Sequence, residues 1–252
     1  MNVQLFLASG GGLLIGLLLT VFGGGGSVLA TPWLVYVVGM ADIHVAIGTS
    51  AAAVTANAAT GLYVQSRAGT VKWPCALLFA STGLIGAFAG AWVGRQVDGA
   101  ILLHWFAFAM IAIAVTMVLP RRNDGDPSVR ISPAMAAKLA PVGLLAGFAA
   151  GFFGIGGGFL IAPGLMASTG MTLSNASASS LLSVSAFGSA TSISYAAGGQ
   201  IDWLIFGALM VGGVCGALLG LPVSRWLAKR IALARTAFAA LVTSVAIYIL
   251  LN

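Results

Sequence analysis

The sequence predicts an all-α, polytopic integral membrane protein built from two inverted-topology repeats of about five segments each. Three observations carry that prediction. The first is composition: 60% of the 252 residues are hydrophobic and 6% are charged, with a mean hydropathy of +1.06, whereas soluble domains carry roughly 25% charged residues. The second is run length, because several apolar stretches approach or exceed the ~20 residues that cross a bilayer core. These runs are continuous and rich in Ala, Leu and Gly, not alternating with period two, which argues against a β-barrel. The third is an internal duplication.

At constant offset, GLLIGLLLTVFGGGGSVLATP (12–32) lies over GLLAGFAAGFFGIGGGFLIAP (143–163). Gly12 meets Gly143, Gly16 meets Gly147, Phe22 meets Phe153, Gly25 and Gly26 meet Gly156 and Gly157, and Pro32 meets Pro163. After a one-residue gap, residues 46–73 lie over 176–203, with Trp73 on Trp203, and 86–95 over 216–225, with Arg95 on Arg225. The polar, Pro- and Gly-broken stretch 121–138 reads as a cytoplasmic linker between a first membrane repeat (1–120) and a second (139–252).

Each half reads as five pieces, with first-half limits near 3–22, 28–40, 44–65, 73–95 and 100–119, and second-half limits near 139–153, 159–170, 175–196, 203–224 and 233–251. The first run lacks a positive n-region and has an internal counterpart, so it reads as a membrane segment and not a cleaved leader. The second piece of each half is too short to span as a straight helix. Pro32 and Pro163 fall early in these pieces, where proline is tolerated in a first helical turn. They read as short, broken or re-entrant helices that follow Gly-rich turns.

Charge sets the orientation. If the short pieces do not return the chain across the membrane, the Lys and Arg residues divide almost evenly between the two sides. If they do, all of Arg67, Lys72, Arg121, Arg122, Arg130, Lys138, Arg225, Lys229, Arg230 and Arg235 fall on one side, and only Arg95 on the other. The positive-inside bias selects the second arrangement, with both termini outside the cytoplasm. The net charge of +6 is then an orientation signal, and no nucleic-acid partner is expected.

Glycine runs inside a bilayer must be buried in protein or line a cavity, because unpaired amides there cost several kcal/mol each. Gly24, Gly25, Gly26 and Ser27 in one half, and Gly156, Gly157 and Gly158 in the other, are candidate anion contacts. Their backbone N–H groups can converge as a nest, and the helix that follows turns its positive end inward. The alternative is a tight hairpin whose glycines only permit close packing. The small-xxx-small pattern of the fourth piece, Gly86, Gly90 and Gly94 in one half and Gly212, Gly216 and Gly220 in the other, is read as close helix packing.

Small polar residues of the third piece extend the candidate site: Thr49, Ser50 and Asn57, against Ser179, Ser180 and Ser183. Such residues also serve as interhelical packing in membranes. Asn57 stands apart, since a mid-helix amide requires a partner or a cavity, and its counterpart is Phe187. The acidic residues are Asp42, Asp98, Asp124, Asp126 and Asp202, none within the middle of a predicted span, so no buried carboxylate relay is visible. His44 and His104 lie at segment ends. Cys75 and Cys215 are isolated, without metal-ligand or disulfide spacing. No catalytic motif, cofactor signature or metal set is present, and the glycine run lacks the Lys of a P-loop.

The paired stretches GLLIGLLLTVFGGGGSVLATPWL…AIGTSAAAV and GLLAGFAAGFFGIGGGFLIAPGL…ASASSLLSV resemble the TauE/SafE sulfite-exporter family over essentially the whole chain. The second half matches its glycine signature well; the first departs where Gly24 replaces Ile155 and Ser27 replaces Gly158. The resemblance implies a secondary transporter, often an exporter, of small sulfur-containing anions such as sulfite or organosulfonates, located in a bacterial inner membrane. It implies alternating access between the repeats around a midplane site. A passive anion channel and a non-transporting assembly subunit are the competing readings. The coupling ion, H+ or Na+, and the oligomeric state, a homodimer included, are open at this stage.

Overall fold

The computed structural model describes residues 2–118, 125, 126, 129, 131–154, 158–227 and 231–251. Gly156 and Gly157, most of the linker with Arg121, Arg122 and Arg130, and Lys229 and Arg230 lie outside the described residues. Among the described residues ten α-helices follow in order: α1 (Asn2–Phe22), α2 (Ala30–Pro32), α3 (Ile43–Arg67), α4 (Trp73–Gly94), α5 (Gly99–Val118), α6 (Pro133–Phe153), α7 (Gly158–Thr169), α8 (Leu173–Ala197), α9 (Trp203–Leu227) and α10 (Ile231–Leu251). Of these, α1, α3, α4, α6 and α9 are long and apolar enough to cross a membrane. Large exposed apolar side chains such as Phe6, Ile85, Trp92, Phe108, Leu145 and Leu218 form the surface expected against lipid. Helix α6 begins at Pro133, so residues 133–138 of the predicted linker span are already helical.

Helix starts follow from capping. Asp42 accepts from the backbone N–H of His44 (2.8 Å) and Val45 (3.2 Å). Asp98 caps α5 through Ala100 (2.9 Å), and Asp202 caps α9 through Leu204 (2.9 Å) and Ile205 (3.0 Å). A carboxylate at the positive end of a helix satisfies otherwise orphaned N–H groups, which is why these acids sit at helix ends and not along a pore. The halves also share their stops: Gly39 and Gly170 (φ 77° and 70°), and Gly69 and Gly199 (φ 68° and 69°), occupy the left-handed region at matching places.

The glycine run differs from expectation. Gly23–Leu29 forms a 3-10 helix, so the first copy is not the non-helical turn that its glycines suggest. The segment continues through α2 into a π turn, Trp33–Val37. Pro32 thus lies inside a continuous return segment and Pro163 inside α7, where each removes a helix N–H. The 3-10 rise of ~2 Å per residue exceeds the ~1.5 Å of an α-helix, so this short sequence reaches further than its length suggests. It runs back along α1: Gly26 packs on Leu18 and Leu19, and the Trp33 indole N–H donates to the Leu7 carbonyl near the start of α1 (2.9 Å).

Packing then fixes the relative directions of α1, α3, α4, α6, α8 and α9. Gly12 and Gly16 of α1 meet Leu209 and Gly213 of α9, so the two helices are parallel; Gly86, Gly90 and Gly94 of α4 likewise meet Leu144, Phe148 and Phe152 of α6. In both seams a Cβ on the glycine would enter the opposing backbone, as small-residue packing requires. At the centre, Gly48 of α3 meets Tyr195 of α8, Gly188 meets Thr55 and Gly61 meets Leu181, so α3 and α8 are antiparallel. Contacts of Asp202 with Thr49 and Gly213 with Asn57 make α9 parallel to α3. Contacts of Lys72 with Ser179 and Gly83 with Phe187 make α4 parallel to α8. Hence α1, α3 and α9 run one way and α4, α6 and α8 the other. Helices α5 and α10 pack together around Phe106, Met110 and Val242, joined there by Val28 of the return segment.

Candidate functional site

The two return segments meet: the 3-10 segment Gly23–Leu29 packs on α7, with Val28 and Leu160 in one apolar cluster. Gly26 is held so close to the backbone of Leu18 and Leu19 that any side chain would collide. Gly24 and Gly25 lie in the same 3-10 helix. Ser27 is fully buried, and Gly158 is buried at the first turn of α7.

The third-piece hydroxyls do three different things. Ser50 lies within hydrogen-bond reach of the Ile47 carbonyl (3.0 Å) and shares a hydrogen bond with Thr31 (2.8 Å) in which either hydroxyl can donate. That bond ties the return segment to α3. The counterpart of Thr31 is Ala162, and among the described residues Ser180 donates to the Ser177 carbonyl (2.8 Å). Thr49 accepts the backbone N–H of Asp202 and Ser179 that of Lys72, both at 2.9 Å. These are the residues just before Trp203 and Trp73, so equivalent hydroxyls pin equivalent helix starts across the repeat interface. Ser183 is fully buried and its hydroxyl has no hydrogen-bond partner among the described residues. A buried polar group left unpaired is costly, so Ser183 is the hydroxyl of this set most in need of a partner from outside the chain.

Between Asn57 and the glycine run stands Leu19, which packs on Gly26 and lines the Asn57 cavity. Asn57 lies at 8% exposure on this cavity of about 110 Å3 between α1, α3 and α9, with Thr20, Thr60 and Gln65 as the other polar lining residues. Of the predicted contacts, Asn57 alone lines this cavity. The structure therefore ties Ser50 to the return segment through Thr31, sets Thr49 and Ser179 at opposite ends of the α3–α8 pair, and places Asn57 on a cavity that shares Leu19 with the packing of Gly26.

Sequence reasoning missed Thr31, whose neighbour Pro32 draws the attention while its own counterpart is an alanine. It also missed a buried polar cluster at the α3 N-terminal end. There His44 Nδ1, the Tyr195 hydroxyl and Gln200 Oε1 lack partners among the described residues, the His44 and Tyr195 rings lie 6.1 Å apart, and Arg95 donates to the Ser194 carbonyl (2.8 Å). The unmatched Arg95 of the charge analysis was the available signal. Among the described residues no group of three His, Cys, Asp or Glu could hold a metal ion.

Residues 8–249 match the family described as Sulfite exporter TauE/SafE. A "Probable membrane transporter protein" of Xylella fastidiosa strain 9a5c is 42% identical over 99% of this chain and 97% of its own length. The "Probable membrane transporter protein YdhB" of Bacillus subtilis is 26% identical over 86% of this chain and 89% of its own. No solved structure matches. With its apolar spanning helices and a match across nearly its whole length, the chain belongs to the TauE/SafE sulfite-exporter family of membrane transporters.

Proposed function

We propose that the protein exports small sulfur-containing anions, such as sulfite or organosulfonates, by alternating access between two inverted repeats. The observation that carries this reading is the opposed direction of corresponding helices, α1 against α6, α3 against α8 and α4 against α9, combined with the exchange of partners between halves. Such an arrangement has two nearly equivalent packings, one open to each side, which is the requirement for alternating access. The substrate site lies where the return segments meet the α3–α8 pair, with Ser27, Gly158, Ser50 and Ser183 nearest it and Thr49 and Ser179 holding the frame. Backbone amides and hydroxyls without a buried carboxylate suit an anion. A proton or sodium ion couples the cycle, and the protein sits in the inner membrane with both termini outside the cytoplasm.

Purified protein in liposomes tests the function. Saturable, gradient-driven flux of sulfite or a sulfonate is expected; absence of flux for every such anion would sink the substrate assignment, and large unitary currents would mark a channel. Single cysteines near the N-terminus and within 121–130, probed with an impermeant thiol reagent, test the topology. Labelling of both from one side is incompatible with inverted repeats.

A further inference from the structure

The Asn57 cavity has a counterpart position in the other half, and the two are built differently. Asn57 rests on Gly213: a Cβ there would meet the amide carbon at 2.8 Å. At the matching place Phe187 rests on Gly83, fully buried and stacked on Phe79 with ring centroids 6.4 Å apart. An aromatic ring therefore fills in one half the space that the smaller amide leaves open in the other.

The open space is polar at one point. Asn57 makes no hydrogen bond within the described residues, although it is more than nine-tenths buried. The other hydroxyls on the wall have spent their protons: Thr20 on the Gly16 carbonyl (2.9 Å) and Thr60 on the Ala56 carbonyl (3.0 Å). Only the carboxamides of Asn57 and Gln65 offer N–H donors, and no charged side chain lines the cavity. The remaining wall is apolar, including Leu19, Leu181 and Val214. Along α3 the cavity runs from Asn57 to Gln65, about 12 Å at ~1.5 Å per residue, toward the C-terminal end of that helix. Its volume is many times the ~10–15 Å3 that a single water needs.

We propose that this cavity is a solute-binding site entered from the α3 C-terminal side, in which the Asn57 amide donates to an oxygen of a small solute whose hydrocarbon part lies on the Leu19, Leu181 and Val214 wall. Phe187 closes the equivalent route in the other half, so polar access through the helix seams exists from one side. The site reaches the glycine run only through Leu19, which packs on Gly26, and the proposal rests on the transport reading only for the use made of the bound solute. An unpaired amide facing lipid chains would keep its full desolvation cost, so the occupant carries a hydrogen-bond acceptor.

Gly61 supplies the probe, because a Cβ there meets nothing closer than Leu181 at 3.4 Å. In a background with Cys75→Ala and Cys215→Ala, the Gly61→Cys protein in membrane vesicles is treated with a charged methanethiosulfonate, with and without ethanesulfonate. Modification is expected, slowed at least threefold by ethanesulfonate, and Asn57→Leu in the same background is expected to keep the modification and lose the protection. No modification by the charged reagent would mean a lipid-filled groove and overturn the proposal. Modification without protection, or protection that survives Asn57→Leu, would leave a water pocket only and overturn it equally. The readout needs no transport: protection without liposome flux would sink the transport reading alone, and flux without protection would sink this site alone.

Discussion

Replacing Thr49 by valine, or Ser179 by alanine, removes one acceptor and leaves one backbone N–H, that of Asp202 or of Lys72, facing a helix interface without its partner. Each lost bond measures 2.9 Å and is partly buried. An unsatisfied buried donor costs about 1–3 kcal/mol, and the lower part of that range, about 1–2 kcal/mol, applies where water can approach a helix start. For a chain of this size each kcal/mol shifts Tm by about 2–4 °C, so each variant is expected to melt roughly 2–8 °C below wild type. The pins sit near the N-termini of antiparallel helices, hence at opposite ends of the α3–α8 pair, and distant sites add; the double variant is expected to lose about 4–16 °C. The assay is thermal melting of detergent-purified protein read by gel filtration, alongside liposome flux normalised to folded protein. The frame role requires lowered Tm with flux per folded molecule within about twofold of wild type. Unchanged Tm, or flux lost at unchanged Tm, would refute it and return both hydroxyls to direct contact with the solute.

Tyr195→Phe removes a buried hydroxyl that has no partner among the described residues, so Tm should hold or rise; a fall of several degrees would reveal a bridging water or solute at the His44 end. Thr31→Val breaks the bond to Ser50 and should cost about 1 kcal/mol, read as a Tm drop of a few degrees, with Ala162→Thr in the other half giving no matching gain. Gly147→Val drives a side chain into the Gly83 backbone and should abolish the folded peak in gel filtration. Gly207→Ala, where the added carbon meets nothing within 4 Å, should gain up to about 1 kcal/mol of helix propensity; equal behaviour of these two glycines would contradict the parallel seams.

Much of the architecture was legible because a bilayer leaves so few choices. Run length, the offset between FGGGGSVLATP and FGIGGGFLIAP, and the side preference of Lys and Arg are local or countable features. They sufficed for an all-helical membrane chain, for its family, and for acids confined to helix ends, where Asp42, Asp98 and Asp202 cap. Tertiary structure decided what depends on who faces whom. Thr49 and Ser179 read as candidate ligands in the sequence, and the structure adds that they accept N–H groups of residues more than 100 positions away, Asp202 and Lys72. Proline and glycine turned a predicted non-helical turn into a 3-10 and π return segment, because backbone in an apolar surrounding must pair with itself. Asn57 and Phe187 align as a mere substitution in the sequence. Only the packed seams of Gly213 and Gly83 show that one exchange leaves a cavity and the other fills it, since free volume is a property of neighbours and not of a residue.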